Sequence, residues 1–61
     1  MTNNQRLHEI RDTHKLTYMD IAKICDRSWF TVKSWILHPD SEAWRHMPDG
    51  RIKLLEDYIA D

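Results

Sequence analysis

Apolar residues recur along the chain three or four positions apart, in short stretches, and nowhere alternate as they do in a strand. Leu7, Ile10 and, one turn later, His14 fall on one side of a helix. It starts at Asn3 or Asn4, both good capping residues, and runs to about Thr13. Ile21, Ile24 and Cys25 form an i, i+3, i+4 stripe within Tyr18 to Cys25. Thr17 caps that second helix and Asp20 answers it as a variant capping box, its negative charge lying at the positive end of the helix dipole. Asp26 and Arg27 break the pattern. Ser28 caps a third helix from Trp29 to about Leu37, with Val32, Trp35 and Ile36 inward and Lys33 and Ser34 outward. Pro39 stops it, because the residue before a proline is pushed out of the α region. Residues 38 to 47 read as an irregular arm anchored by Trp44. Pro48 then opens a final helix whose Ile52, Leu55, Tyr58 and Ile59 share a face. The pattern predicts an all-α fold, a compact bundle of four helices or five short ones.

The 61 residues make a single domain over 1–61, near the lower limit at which burial offsets chain entropy. A buried multi-residue catalytic apparatus does not fit in it. Nine Lys and Arg against ten Asp and Glu give a net charge of -1, which by itself does not announce a nucleic-acid binder. The distribution is uneven: residues 27 to 54 carry five bases (Arg27, Lys33, Arg45, Arg51, Lys53) and three acids, while residues 55 to 61 carry three acids only. A single cysteine, Cys25, allows no internal disulfide and suits a reducing compartment. No apolar run approaches the roughly 20 residues of a membrane span, and Met1-Thr2-Asn3-Asn4 does not read as a signal peptide. The expectation is a soluble protein of the cytoplasm, in a bacterium or a phage-infected host.

His8, His14, His38 and His46 with Cys25 match no zinc spacing, and Cys25 reads as a small buried residue of the second helix. Nothing resembles a phosphate-binding glycine loop or a hydrolase triad. Neither an enzyme nor a cofactor is expected.

The informative segment is Leu16 to Trp35. Two short helices crossing steeply need a small residue where they touch, a tight turn, and apolar residues that lock the second onto the first. Ala22 is the small contact, Asp26 the turn, and Val32 with Trp35 the lock, with ten residues from Ala22 to Val32 and three from Val32 to Trp35. This spacing, with the Thr31-Val32-Lys33-Ser34-Trp35 string, resembles the helix-turn-helix of the Cro and phage-repressor family, of the lambda-repressor-like type, closely over Leu16 to Leu37. Trp44 to Arg51 followed by Leu54-Leu55 looks like the end of small phage or plasmid regulators of that kind. Two positions depart from the family pattern. Asp26 stands where glycine is usual, and Arg27 stands where an apolar residue is usual, so that either its stem lies over the core or the turn differs.

The resemblance implies a transcriptional regulator, a Cro-like repressor that inserts the helix starting near Ser28 into the major groove of double-stranded DNA as a homodimer. Carried over position by position, Ser28, Trp29, Phe30, Lys33 and Ser34 meet base edges, with Leu37 or His38 at the far end. Thr17, Arg27, His38, Arg45, His46 and Arg51 are the phosphate candidates, and the last helix, with Tyr58 and Ile59, is the dimer surface. Trp29 and Phe30 read a donor pattern poorly, so DNA contact, a partner protein and partial burial all stay open for them. The competing readings are a helix-turn-helix scaffold that docks a host or phage protein through these aromatics, and an architectural, excisionase-type factor that bends DNA. Trp35 and Trp44 read as core, and Arg6, Arg11 and Lys23 most simply as solvated surface, with a phosphate contact open for Arg11 or Lys23.

Overall fold

In a computed structural model, which describes residues 1–60, the chain forms four helices: α1 (Asn3–His14), α2 (Tyr18–Cys25), α3 (Trp29–Ile36) and α4 (Asp49–Ala60). Among the described residues there is no strand, and no helix is long and apolar enough to cross a membrane. The all-α bundle expected from the hydrophobic pattern is the architecture observed. α2 packs on α3 and α4, and α1 packs on the same two helices.

Local chemistry sets each boundary. Thr2 caps α1 in extended conformation, accepting from the Gln5 N–H while the Gln5 side chain accepts from the Thr2 N–H. Asn3 and Asn4, expected as caps, lie inside the helix. Their carboxamides reach across to the arm: Asn3 Nδ2 donates to the Met47 carbonyl at 2.9 Å, and Asn4 is buried beneath it. α2 begins at the expected Thr17, whose hydroxyl accepts from the Asp20 N–H at 3.1 Å while its own N–H donates to the Asp20 carboxylate at 3.0 Å. α1 and α2 end alike. Lys15 (φ 54°) and Asp26 (φ 55°) adopt the left-handed conformation, and the N–H groups of that residue and the next both turn back to one carbonyl, Arg11 or Ala22. Ser28 caps α3 by accepting from the Thr31 N–H at 3.2 Å, and α3 stops at Leu37. α4 starts one residue after Pro48, whose carbonyl accepts from the Ile52 N–H at 3.2 Å.

Leu7 and Ile10 of α1, Ile21, Ala22 and Cys25 of α2, Val32, Trp35 and Ile36 of α3, and Ile52 and Leu55 of α4 form one core with Met47 from the arm. Two expectations fail here. His14 is exposed, because the left-handed stop at Lys15 follows at once and turns the chain away. Tyr58 is 57% exposed, since three residues beyond Leu55 it has rotated past the core edge, and Ile59 takes the inward place. Trp44 is half-buried at the arm, beside Leu37 and Pro39. The arm itself is two successive turns, Ser41 N–H to the His38 carbonyl and Trp44 N–H to the Ser41 carbonyl, after which the Arg45 N–H returns to Ser34 at 2.9 Å.

Candidate functional site

α3 divides into two faces. Val32, Trp35 and Ile36 are buried, Trp35 at 2% exposure, each contributing gross burial of about 1.5–3 kcal/mol that holds the helix across α2. Lys33 stands outward with Ser28, Trp29 and Phe30, all exposed, and Ser34 is half-buried. The chain is interrupted at Asp26 and Arg27, so α2 and α3 are separate rods with a three-residue corner between them. Arg27 is exposed and does not lay its stem over the core, yet the corner keeps a regular left-handed stop. Its guanidinium donates to the Asp26 carbonyl at 3.0 Å.

The outer face of α3 is an aromatic run with cations beside it. The Trp29 ring lies 5.8 Å from Tyr18 at the start of α2 and 5.2 Å from Phe30, edge-on at 88°. Lys33 Nζ sits 5.3 Å from the centre of the Trp29 ring, and the Arg11 guanidinium 5.8 Å from that of Tyr18. Trp29 is thereby held on several sides and is 36% exposed, whereas Phe30 is 77% exposed. Tyr18 belongs to this cluster although it did not stand among the candidates, and so does Arg11, one of the two surface cations for which a phosphate contact was open. The available signal was positional: Tyr18 and Trp29 each follow directly on a cap, and the corner brings the two helix starts together.

The hydroxyls of the face are partly engaged. Ser28 Oγ bonds the Thr31 N–H and lies 3.0 Å from the Thr31 hydroxyl, and the Ser34 hydroxyl donates to the Thr31 carbonyl at 2.6 Å. Thr17 uses both its N–H and its hydroxyl on Asp20. Those Thr17 hydrogen bonds hold the Asp20 carboxyl below its ordinary range, so it remains anionic at neutral pH.

The remaining phosphate candidates are dispersed. Arg45 donates to the carbonyls of Glu42 and Trp44, both at 2.8 Å, and so wraps onto its own arm. His46 lies against Trp44, with ring centres 6.3 Å apart. His38 Nδ1 accepts from the Asp40 N–H at 3.2 Å and is exposed at the far end of α3, next to half-buried Leu37. Arg51 donates to the Cys25 carbonyl at 3.0 Å and so neutralises the C-terminal end of α2. Cys25 returns the bond, its thiol 3.5 Å from the Arg51 carbonyl, and burial pushes that thiol up, away from thiolate reactivity. The structure therefore gathers Ser28, Trp29, Phe30 and Lys33 with Thr17, Tyr18 and Arg11, while Arg45, His46 and Arg51 serve the arm and the α2–α4 junction. No family model, curated protein or solved structure matches this chain.

Proposed function

We propose that the chain is a sequence-specific regulator that inserts α3 into the major groove of double-stranded DNA, acting as a small repressor of the Cro type. The observation that carries this reading is the two-faced α3: buried Val32, Trp35 and Ile36 clamp it on α2, and Ser28, Trp29, Phe30 and Lys33 stand outward from its first two turns. A helix presented from a rigid body by its N-terminal half is what a groove about 12 Å wide accepts. Lys33 and Arg27 supply the positive charge there, and the Asp26 corner sets the angle of entry.

Two copies on a two-fold site complete the reading, since one chain measures 34 × 24 × 21 Å and a second recognition helix belongs one DNA turn away. Leu54 and Tyr58, exposed on α4, offer the second copy an apolar face. Sequences selected from a random duplex pool test both parts. The expected result is an enriched, two-fold symmetric motif, bound at physiological salt at least about a thousandfold more tightly than random DNA and lost in the double variant Lys33→Ala, Arg27→Ala. A wild type that enriches no motif refutes the proposal.

One observation favours a rival. Arg45 and Arg51 each commit a guanidinium nitrogen to backbone carbonyls of the fold, which places these two cations away from the outer face of α3 and leaves the aromatics prominent there. A protein-docking module predicts that Trp29→Ala abolishes a pull-down from host lysate while no duplex motif is enriched.

A further inference from the structure

Phe30 gains little burial from the fold. A phenylalanine side chain contributes about 1.5–3 kcal/mol when buried, yet this one is 77% exposed at the second position of α3. It is nonetheless braced: Trp29 meets it edge-on at 5.2 Å, and Trp29 is itself held by Tyr18 and by Lys33. The cluster is thus a fixed apolar tip on a supported base.

We infer that Phe30 reads the C5-methyl group of thymine in the major groove, so that the duplex this chain selects carries a thymine facing the tip of each α3. The inference rests on the duplex reading above and adds to it the base that is recognised. A phenyl ring has neither donor nor acceptor, so it is blind to the hydrogen-bonding code of the base edges. The apolar feature those edges offer is the thymine methyl. The larger rings are differently placed for bases, since Trp29 and Tyr18 each have a cation over the ring, from Lys33 and Arg11. A platform for stacking single-stranded bases needs those faces open. An apolar protein partner is disfavoured by the same two cations, which suit phosphates. Of the acids near this face, Asp20 has its carboxylate turned to the Thr17 N–H, and Asp26 lies at the corner, two residues before the Ser28 cap.

The test uses the full chain and the best duplex from the random pool. Replacing a thymine by deoxyuridine removes one methyl group and leaves every donor and acceptor in place. At the thymine under the tip, each replacement is expected to weaken wild-type binding about fourfold, and roughly fifteenfold when both half-sites are changed. Phe30→Ala is expected to bind the thymine and deoxyuridine duplexes equally while keeping wild-type salt dependence. Phe30→Leu, still apolar, is expected to retain part of the discrimination, which a merely structural role would not produce. Because Phe30 is exposed, both variants should melt as the wild type does. Tight wild-type binding that is indifferent to deoxyuridine at every thymine overturns this inference alone, as does full discrimination by Phe30→Ala. A wild type that binds only single strands, or no nucleic acid, overturns the duplex reading and this inference with it.

Discussion

Asn4 is 4% exposed, and its carboxamide meets three backbone groups from elsewhere in the chain. Nδ2 donates to the carbonyls of Trp35 and Arg45, each at 2.9 Å, and Oδ1 accepts from the Met47 N–H at 2.8 Å. One side chain thus joins the start of α1 to the last turn of α3 and to the arm. Asn4→Ala leaves the Trp35 carbonyl and the Met47 N–H buried without that partner and the part-buried Arg45 carbonyl open to water, at about 1–3 kcal/mol for each buried group left unsatisfied. The expected outcome is a loss on the order of 3 kcal/mol, after partial relaxation, read from the midpoint of urea unfolding. This role was not legible in the sequence. An asparagine at the head of a helix reads as a cap, and nothing in a linear pattern distinguishes a carboxamide that turns back on its own helix from one that reaches 43 residues ahead. Trp35 was legible for the opposite reason: its position in the apolar stripe of α3 is fixed by helical period alone.

At the scale of elements, the starts of α2 and α3 were readable because each carries its own punctuation, whereas the Thr2 cap of α1 was passed over for the asparagines after it. Thr17 with Asp20, and Ser28 before Trp29, are local chemical statements that need no tertiary partner, and α2 and α3 start where those residues put them. The corner was readable at Asp26 because a break in the stripe had to fall there. Its conformation carries a cost: Asp26 stands at φ 55°, ψ 51°, where a residue with a Cβ loses about 1–2 kcal/mol relative to glycine, somewhat less for aspartate. Asp26→Gly is therefore expected to stabilise the domain by about 0.5–1 kcal/mol, the relief being offset by the greater freedom of glycine in the unfolded chain. Thermal unfolding of the two proteins checks this, and an unchanged or lowered melting temperature contradicts it. The inward place of Ile59 was legible, whereas the exposure of Tyr58 was not. At the end of a helix with no further core to cover, period alone does not tell the last buried residue from the first exposed one.

For the whole molecule, the sequence tells which charges exist but not which backbone carbonyl each one reaches. Five basic residues between 27 and 54 read as a positive middle, yet the guanidinium groups of Arg45 and Arg51 are turned to the arm and to the end of α2. The cations grouped with the aromatic face are Arg11, Lys33 and, at the corner, Arg27. If these three meet phosphates, the log–log dependence of binding on salt has a slope of about −3 per bound chain. A titration across salt concentrations that returns a slope of about −4.5 per bound chain would assign phosphate contacts to Arg45 and Arg51 after all. The paired left-handed stops at Lys15 and Asp26 have a consequence of their own. Each is followed by one linking residue and then a capping hydroxyl, so α2 is framed between two corners of equal length. Within α3 the distance from the Ser28 cap to Val32 then has to match the direction in which the helix is held. One extra residue between them would turn the cap by roughly 100° relative to the buried stripe, and the helix would give up either its start or its hold on α2. Phe30 and Lys33 face outward only while those two signals agree in phase.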